Sequence, residues 1–272
     1  MTTITRRSSS GVETPSSGVE TSFALRGATH YFGHTVRLTF RNVAYLIFTI
    51  GLPVTMYLVF NSIFGSEQVI PGVNYSAMIM VQMAGYGALG SAMSGGAVIA
   101  LERRSGWFRQ LMITAVPERS FLVARAATVL VIVLPSLLLV FLAGFAIGGV
   151  RAPVEVWIAS LVAMWASLLP LATLGVVLGL LVKGEAVQGL NTVVMMVLSM
   201  AGGLWFPIQM MPEPVQAVAQ FLPSYWIGEF GRWPFLGEGF PWQGVAVQLG
   251  WTLVLVVIGG LGYRRAVRDS KR

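Results

Sequence analysis

Six long apolar stretches alternate with polar ones along this chain. A helix rises about 1.5 Å per residue and a bilayer's hydrocarbon core is about 30 Å thick, so a crossing takes roughly 20 apolar residues. Val43–Phe64, Tyr75–Ala100, Phe121–Gly149, Val156–Val182, Val187–Phe206 and Gly244–Gly262 all have that character. The pattern predicts six transmembrane helices. Pro53, Pro135 and Pro170 fall inside them, where a missing N–H and a bulky ring predict kinks.

The polar remainder divides the chain further. Residues 1–22 are rich in Ser, Thr and Gly and read as a disordered tail. Residues 23–42 read as an interfacial amphipathic helix. Wound as a helix, Thr29–Asn42 puts His30, His34, Arg37 and Arg41 on one face and Phe32, Val36 and Phe40 on the other. The two histidines stand four apart, a metal-ligand spacing, but no carboxylate is near, so they read as part of the basic face and no metal site is expected. Leu101–Arg125 is a charged island between two apolar stretches. Within it, Leu101, Phe108, Leu111, Met112 and Ala115 form one stripe, and Glu102, Arg103, Arg109 and Gln110 another. Such a helix lies along a membrane surface. Residues 207–243 are rich in Pro, Trp, Tyr and Phe, which fits short re-entrant or interfacial helices. Residues 264–272 form a basic tail.

Composition fixes the class. Of 272 residues, 55% are hydrophobic and only 11% charged, against about 25% charged in an ordinary soluble domain. That leaves too little polar surface for a water-soluble fold. The absence of cysteine excludes disulfides, thiolate metal sites and a cysteine nucleophile. The net charge of +7 is distributed by loop. With the N-terminus in the cytoplasm, outside loops keep only Arg151 and Arg232 of the 18 Lys and Arg residues. The positive-inside rule then puts both termini in the cytoplasm, and the charge reads as orientation rather than as nucleic-acid binding.

Several chemistries are missing. There is no G-x-x-x-x-G-K-[ST] loop for nucleotide phosphates and no H-E-x-x-H zinc motif. No histidine lies in an apolar stretch, and the middles of those stretches carry no Asp, Glu, Lys or Arg. Proton-coupled transporters use such residues as relays. Any solute movement would therefore draw its energy from elsewhere.

Two motifs carry a family resemblance. Leu101-Glu102-Arg103-Arg104-Ser105-Gly106, continuing through Leu111, Thr114, Ala115 and Pro117, is similar to an E-[RK]-x-x-G-x-x-x-x-L-x-x-[TS]-P region, with Ala-Val before the proline here. Phe206-Pro207, Met211-Pro212, Leu222-Pro223 and Tyr225 are similar to the Phe-Pro, Met/Leu-Pro and Asn/Leu-Pro-x-x-Tyr run after a fifth span, with Ser224 alone between proline and tyrosine here. In its six-span frame the chain resembles the permease subunits of type-2 ABC exporters. The resemblance implies an all-α membrane protein: six transmembrane helices over 43–263, an N-terminal interfacial helix, a cytoplasmic coupling helix over 101–117 and re-entrant extracellular helices over 207–243.

It also implies function. The chain would be a non-enzymatic subunit in the plasma membrane of a bacterium, paired with a second permease copy as a homodimer. A separate ABC ATPase would bind ATP and Mg, and this chain would need no cofactor. Glu102, Arg103, Arg104, Gly106 and Arg109 would couple to that ATPase. Gln82, Met83, Tyr86, Asn191, Thr192, Met195 and Ser199, on the second and fifth spans, would line a central cavity; ordinary helix packing is the alternative for them. Phe206, Pro207 and Glu229 would belong to an extracellular gate. The expected cargo is hydrophobic or amphipathic: a drug, antibiotic, lipid or glycolipid. A membrane scaffold without transport, or a membrane-embedded lipid-modifying enzyme, are the competing readings, and an enzyme would need a polar or metal-binding cluster that the sequence does not offer. The stripes Ala84-Ala88-Ala92-Gly96-Ala100, Gly144-x-x-x-Gly148 and Gly175-x-x-x-Gly179 predict close helix contacts, inside one chain or between copies.

Overall fold

A computed structural model describes residues 47–104, 118–182 and 186–270. The N-terminal tail, the interfacial helix expected over 23–42, and Gly106 and Arg109 lie outside these residues. Among the described residues the chain is mostly helical. A π-turn, Ile47–Gly51, leads into α1 (Leu52–Phe64), and a short hairpin, β1 (Gln68–Ile70) and β2 (Val73–Asn74), follows. Then come α2 (Tyr75–Arg104), α3 (Glu118–Ala146), α4 (Val154–Ser167), α5 (Leu169–Leu181) and α6 (Ala186–Ala201). A 3-10 turn (Ile208–Met210), α7 (Glu213–Ala219), α8 (Pro223–Leu236) and α9 (Trp242–Ser270) complete the order.

The hairpin is a small interruption of an otherwise helical chain. Pro71-Gly72 is the pair a type II turn favours, and Gly72 takes φ +86°. The strands are too short for an alternating pattern to announce them. The hairpin also labels one end of the bundle. Tyr57 of α1, Ser76 of α2 and Gly148 after α3 meet there: the Ser76 hydroxyl donates to the Gly148 carbonyl at 2.9 Å, and the Tyr57 and Ser76 hydroxyl oxygens are 2.8 Å apart.

Each proline acts differently. Pro53 sits in the first turn of α1 and gives no N–H to the carbonyl four residues back. That carbonyl, on Thr49, accepts the Ser136 hydroxyl of α3 at 3.1 Å. Pro135 lies inside α3 without ending it. In the turn before it, the Leu130 carbonyl accepts the Trp165 indole N–H at 2.9 Å. Pro170 follows a one-residue interruption: α4 stops at Ser167, Leu168 keeps right-handed helical dihedrals, and α5 begins at Leu169. The stretch read as one span over Val156–Val182 is two consecutive helices that together are long and apolar enough to cross a membrane.

α2 is the centre of the bundle, packed by α5, α3, α1, α6 and α8. Ala84, Ala88 and Ala92 are fully buried. A Cβ on Gly175 of α5 would stand 2.7 Å from the Ala92 carbonyl oxygen, so α2 and α5 touch almost backbone to backbone. Gly144 rests on Met80, and Gly148 on Tyr57 and Ser76. These stripes are contacts within one chain. By length and composition, Ala126–Ala146, Val154–Leu181 and Trp242–Arg264 can cross a membrane; Thr49–Phe64 and Ala186–Ala201 are shorter apolar helices.

Candidate functional site

The bundle is irregular where α6 ends. The sequence predicts helix to Phe206, but α6 stops at Ala201 and Gly203 takes φ +72°, a conformation suited to glycine. The Gly203 carbonyl accepts the Gln82 side-chain N–H of α2, at 3.4 Å. Next to it, the Leu204 side chain lies 3.0 Å from the position a Cβ on Gly85 would occupy. Gly85 is ten residues into α2, about 15 Å from the hairpin end. The chain therefore leaves α6 well inside the bundle.

α8 climbs from that depth back to the hairpin end. Ile227 sits beside Leu204 at Gly85, while Gly231 rests on Val81 and Met164 and gives its carbonyl to the Ser160 hydroxyl at 2.8 Å. One turn further on, Phe235 stacks edge-on against Trp157, with centroids 5.9 Å apart. α8 carries Arg232, only 9% exposed, and Glu229 one turn back is its ion-pair partner. A buried guanidinium needs that partner, so Glu229 is held within α8's own polar contacts. Phe206 is exposed and Pro207 half-buried at the head of the connection between α6 and α8.

Backbone carbonyls of this connection are covered by side-chain donors. Gln216 reaches the Met211 carbonyl at 2.7 Å and the Gln209 carbonyl at 3.4 Å. The Trp226 indole caps Gln220, and the Trp251 indole caps Phe221, both at 2.8 Å. Gln248 of α9 reaches the Pro223 carbonyl at 3.0 Å. Four tryptophans, Trp165, Trp226, Trp233 and Trp251, give their indole N–H to backbone carbonyls.

Most of the expected cavity residues face inward within the chain. Asn191 is buried, and its amide donates to the Met93 carbonyl of α2 at 3.0 Å. Ser199 is fully buried and bonds the Met196 carbonyl of its own helix. Gln82 and Met83 are buried. Tyr86, half-buried, packs edge-on against Trp205 at 5.4 Å. The Met195 methyl is 3.0 Å from where a Cβ on Gly90 would stand. Of the seven, only Thr192 is exposed, its hydroxyl bonded back to the Gln188 carbonyl. The open face of α6 carries Val193, Met196, Val197 and Met200 as well. The signal was present in the sequence: Val187, Asn191, Met195 and Ser199 recur every four residues, and polar side chains on an apolar helix turn toward protein partners.

Glu102, Arg103 and Arg104 form the last described turn of α2, at the end opposite the hairpin. They are continuous with α2, and the rest of the coupling helix expected over 101–117 lies outside the described residues. The described part of α9 runs to the same end: Gly262 packs on Leu180 and Leu181 at the close of α5.

A family model for ABC-2 family transporter proteins matches residues 66–263. A protein of Bacillus subtilis (strain 168) named "Putative transport permease YvfS" is 27% identical over 221 residues, which cover 80% of this chain and 89% of that one.

Proposed function

The chain belongs to the ABC-2 family of transporter proteins, and from that premise we propose that it is the membrane subunit of an ATP-driven exporter. Two copies and a separate ATPase, which would bind ATP and Mg, form the working unit in this reading. Six passages cross the bilayer: the π-turn with α1, then α2, α3, α4 with α5, α6, and α9. Both termini lie in the cytoplasm, the hairpin lies outside, and α8 is re-entrant from the outside.

The carrying observation is the separation of the two ends. Arg103 and Arg104 close α2 at one end of the bundle, and the broken, aromatic connection around α8 occupies the other. The first end suits docking of an ATPase through charge-assisted contacts of Glu102, Arg103 and Arg104, with Gly106 and Arg109 next in the chain. The second suits an exit controlled by short elements. Phe206 and Pro207 start that region, and the Glu229–Arg232 pair sits on α8. ATP binding would close the ATPase pair and swing the cavity from inward to outward access. The cargo is hydrophobic or amphipathic, because the exposed face of α6 offers methionine, valine and Thr192 and no charge.

The test is Arg103→Glu with Arg104→Glu in the full complex. Co-purification of the wild-type chain with a Walker-motif ATPase and ATP-dependent uptake into inverted vesicles are expected. The double variant should insert normally and lose most of the uptake. Full ATP-driven export by the double variant would remove the coupling role, and an ATPase that never co-purifies would favour the scaffold reading.

A further inference from the structure

Arg151 stands against the charge pattern of the chain. It is one of two Lys or Arg residues in the loops assigned to the outside, and the other, Arg232, is buried in an ion pair with Glu229. Arg151 lies in the turn between α3 and α4 and is exposed. Among the described residues no carboxylate pairs with it. A cation kept outside against the positive-inside bias, and given no acid by its own chain, suits an anion from elsewhere.

Its guanidinium is held in place. One amino group donates to the carbonyls of Phe145 at 2.8 Å and Val150 at 3.2 Å, and the guanidinium carbon lies 5.2 Å from the centre of the Phe145 ring. That ring packs edge-on against Trp157 of α4, with centroids 6.1 Å apart. The other amino group and Nε have no acceptor among the described residues. Together they form an edge that takes a phosphate in a fork.

Position agrees with chemistry. The apolar stretch Ala126–Ala146 ends just before Arg151, and Val154–Leu181 begins just after it. Arg151 therefore sits where hydrocarbon gives way to headgroups. Beside it in the chain, Phe145, Ile147 and Val154 are exposed at 54%, 66% and 68%. Such side chains suit the upper ends of acyl chains. Glu155, exposed in the first turn of α4, adds an opposite charge four residues on without pairing with Arg151. A guanidinium and a carboxylate left apart match a headgroup that carries both charges.

We propose that Arg151 holds the phosphate of an outer-leaflet phospholipid whose acyl chains cover Phe145, Ile147 and Val154. Glu155 makes phosphatidylethanolamine the preferred headgroup, through its ammonium. This inference rests on the membrane-spanning reading of α3 and α4 and is independent of the ATPase and the cargo.

The chain has no cysteine, so single thiols can be placed without background. Val154→Cys and, as a control on the outer face of α9, Leu253→Cys are labelled with bimane. Each full chain is reconstituted in vesicles of diglucosyl diacylglycerol, a lipid without phosphate. The quenchers are phosphatidylethanolamine, phosphatidylglycerol and the glucolipid itself, each brominated on its acyl chains. At 154, brominated phosphatidylethanolamine should reach half-quenching at a mole fraction about threefold lower than the brominated glucolipid, while at 253 the two should be equal. Arg151→Gln, which can still donate to a carbonyl, should abolish the preference at 154 and leave quenching by the glucolipid there unchanged. Equal quenching by the two lipids at 154 in the wild-type background, or a preference that survives Arg151→Gln, would overturn the phosphate site. Phosphatidylglycerol should be the weaker quencher at 154 and become the stronger one in Glu155→Gln; an order unaffected by that change would overturn the part given to Glu155. If no brominated lipid quenched either label, the membrane reading would fall and the site with it.

Discussion

α2 and α9 are nearly the same length, yet they live in different solvents. α2 is rich in Gly, Ala and Ser, and its described side chains from Ser76 to Met93 are almost all buried. α9 is rich in Val and Leu, and most of its large apolar side chains point away from the protein. Hydropathy along this chain thus follows which side chains face away from the bundle rather than how central a helix is. The helix most central to the bundle is the less apolar one, because lipid tails give apolar side chains no reason to leave them. What α2 needs is closeness, and small residues supply it.

The contrast can be broken by crowding the centre. Gly175→Val should have the largest effect, since the new Cβ would meet the Ala92 carbonyl oxygen, a backbone atom that cannot swing away. A cost of about 3 kcal/mol is expected, at the upper end for overpacking. Thermal unfolding in detergent would register it; an unaltered midpoint would mean that α2 and α5 are not tightly seated. Asn191→Leu should be milder. It removes the bond to the Met93 carbonyl, but the amide oxygen it also removes has no partner. About 1 kcal/mol is expected from equilibrium unfolding in mixed micelles, in line with interhelical hydrogen bonds elsewhere. Leu253→Ala on the outer face of α9 should change stability least, by about 0.5 kcal/mol or less. If it cost as much as Gly175→Val, the distinction between the two helices would fail.

Those same physical differences decide how much was legible in advance. Each predicted span corresponds to helix because length and apolarity are local properties. The Ala84-Ala88-Ala92 stripe was visible too, and the structure assigns it to packing against Gly175 within the chain. The early stop of α6 at Ala201 was less visible: Gly202-Gly203 permits a turn, but only the Gln82 contact and the arrival of α8 at the same depth make one. For Asn191 and Ser199 the sequence left a central cavity and ordinary helix packing both open; within this chain Asn191 meets the Met93 carbonyl and Ser199 the Met196 carbonyl of its own helix. The indole caps on Gln220 and Phe221 were beyond reading, since each depends on where a distant tryptophan lands.

The node of Pro53, Ser136 and Gly87 has a consequence for descent. A Cβ on Gly87 would fall 2.5 Å from the Ser136 hydroxyl oxygen and 2.8 Å from Cγ of Pro53. Pro53 creates the need that Ser136 meets, and Gly87 makes room for both. A lineage that replaced Pro53 by an ordinary residue would restore an N–H to the Thr49 carbonyl and release Ser136 from its task; one that lost Ser136 first would leave that carbonyl orphaned. The order of change is thereby constrained. In homologues these three positions should vary as a set, with serine surviving at 136 wherever proline survives at 53.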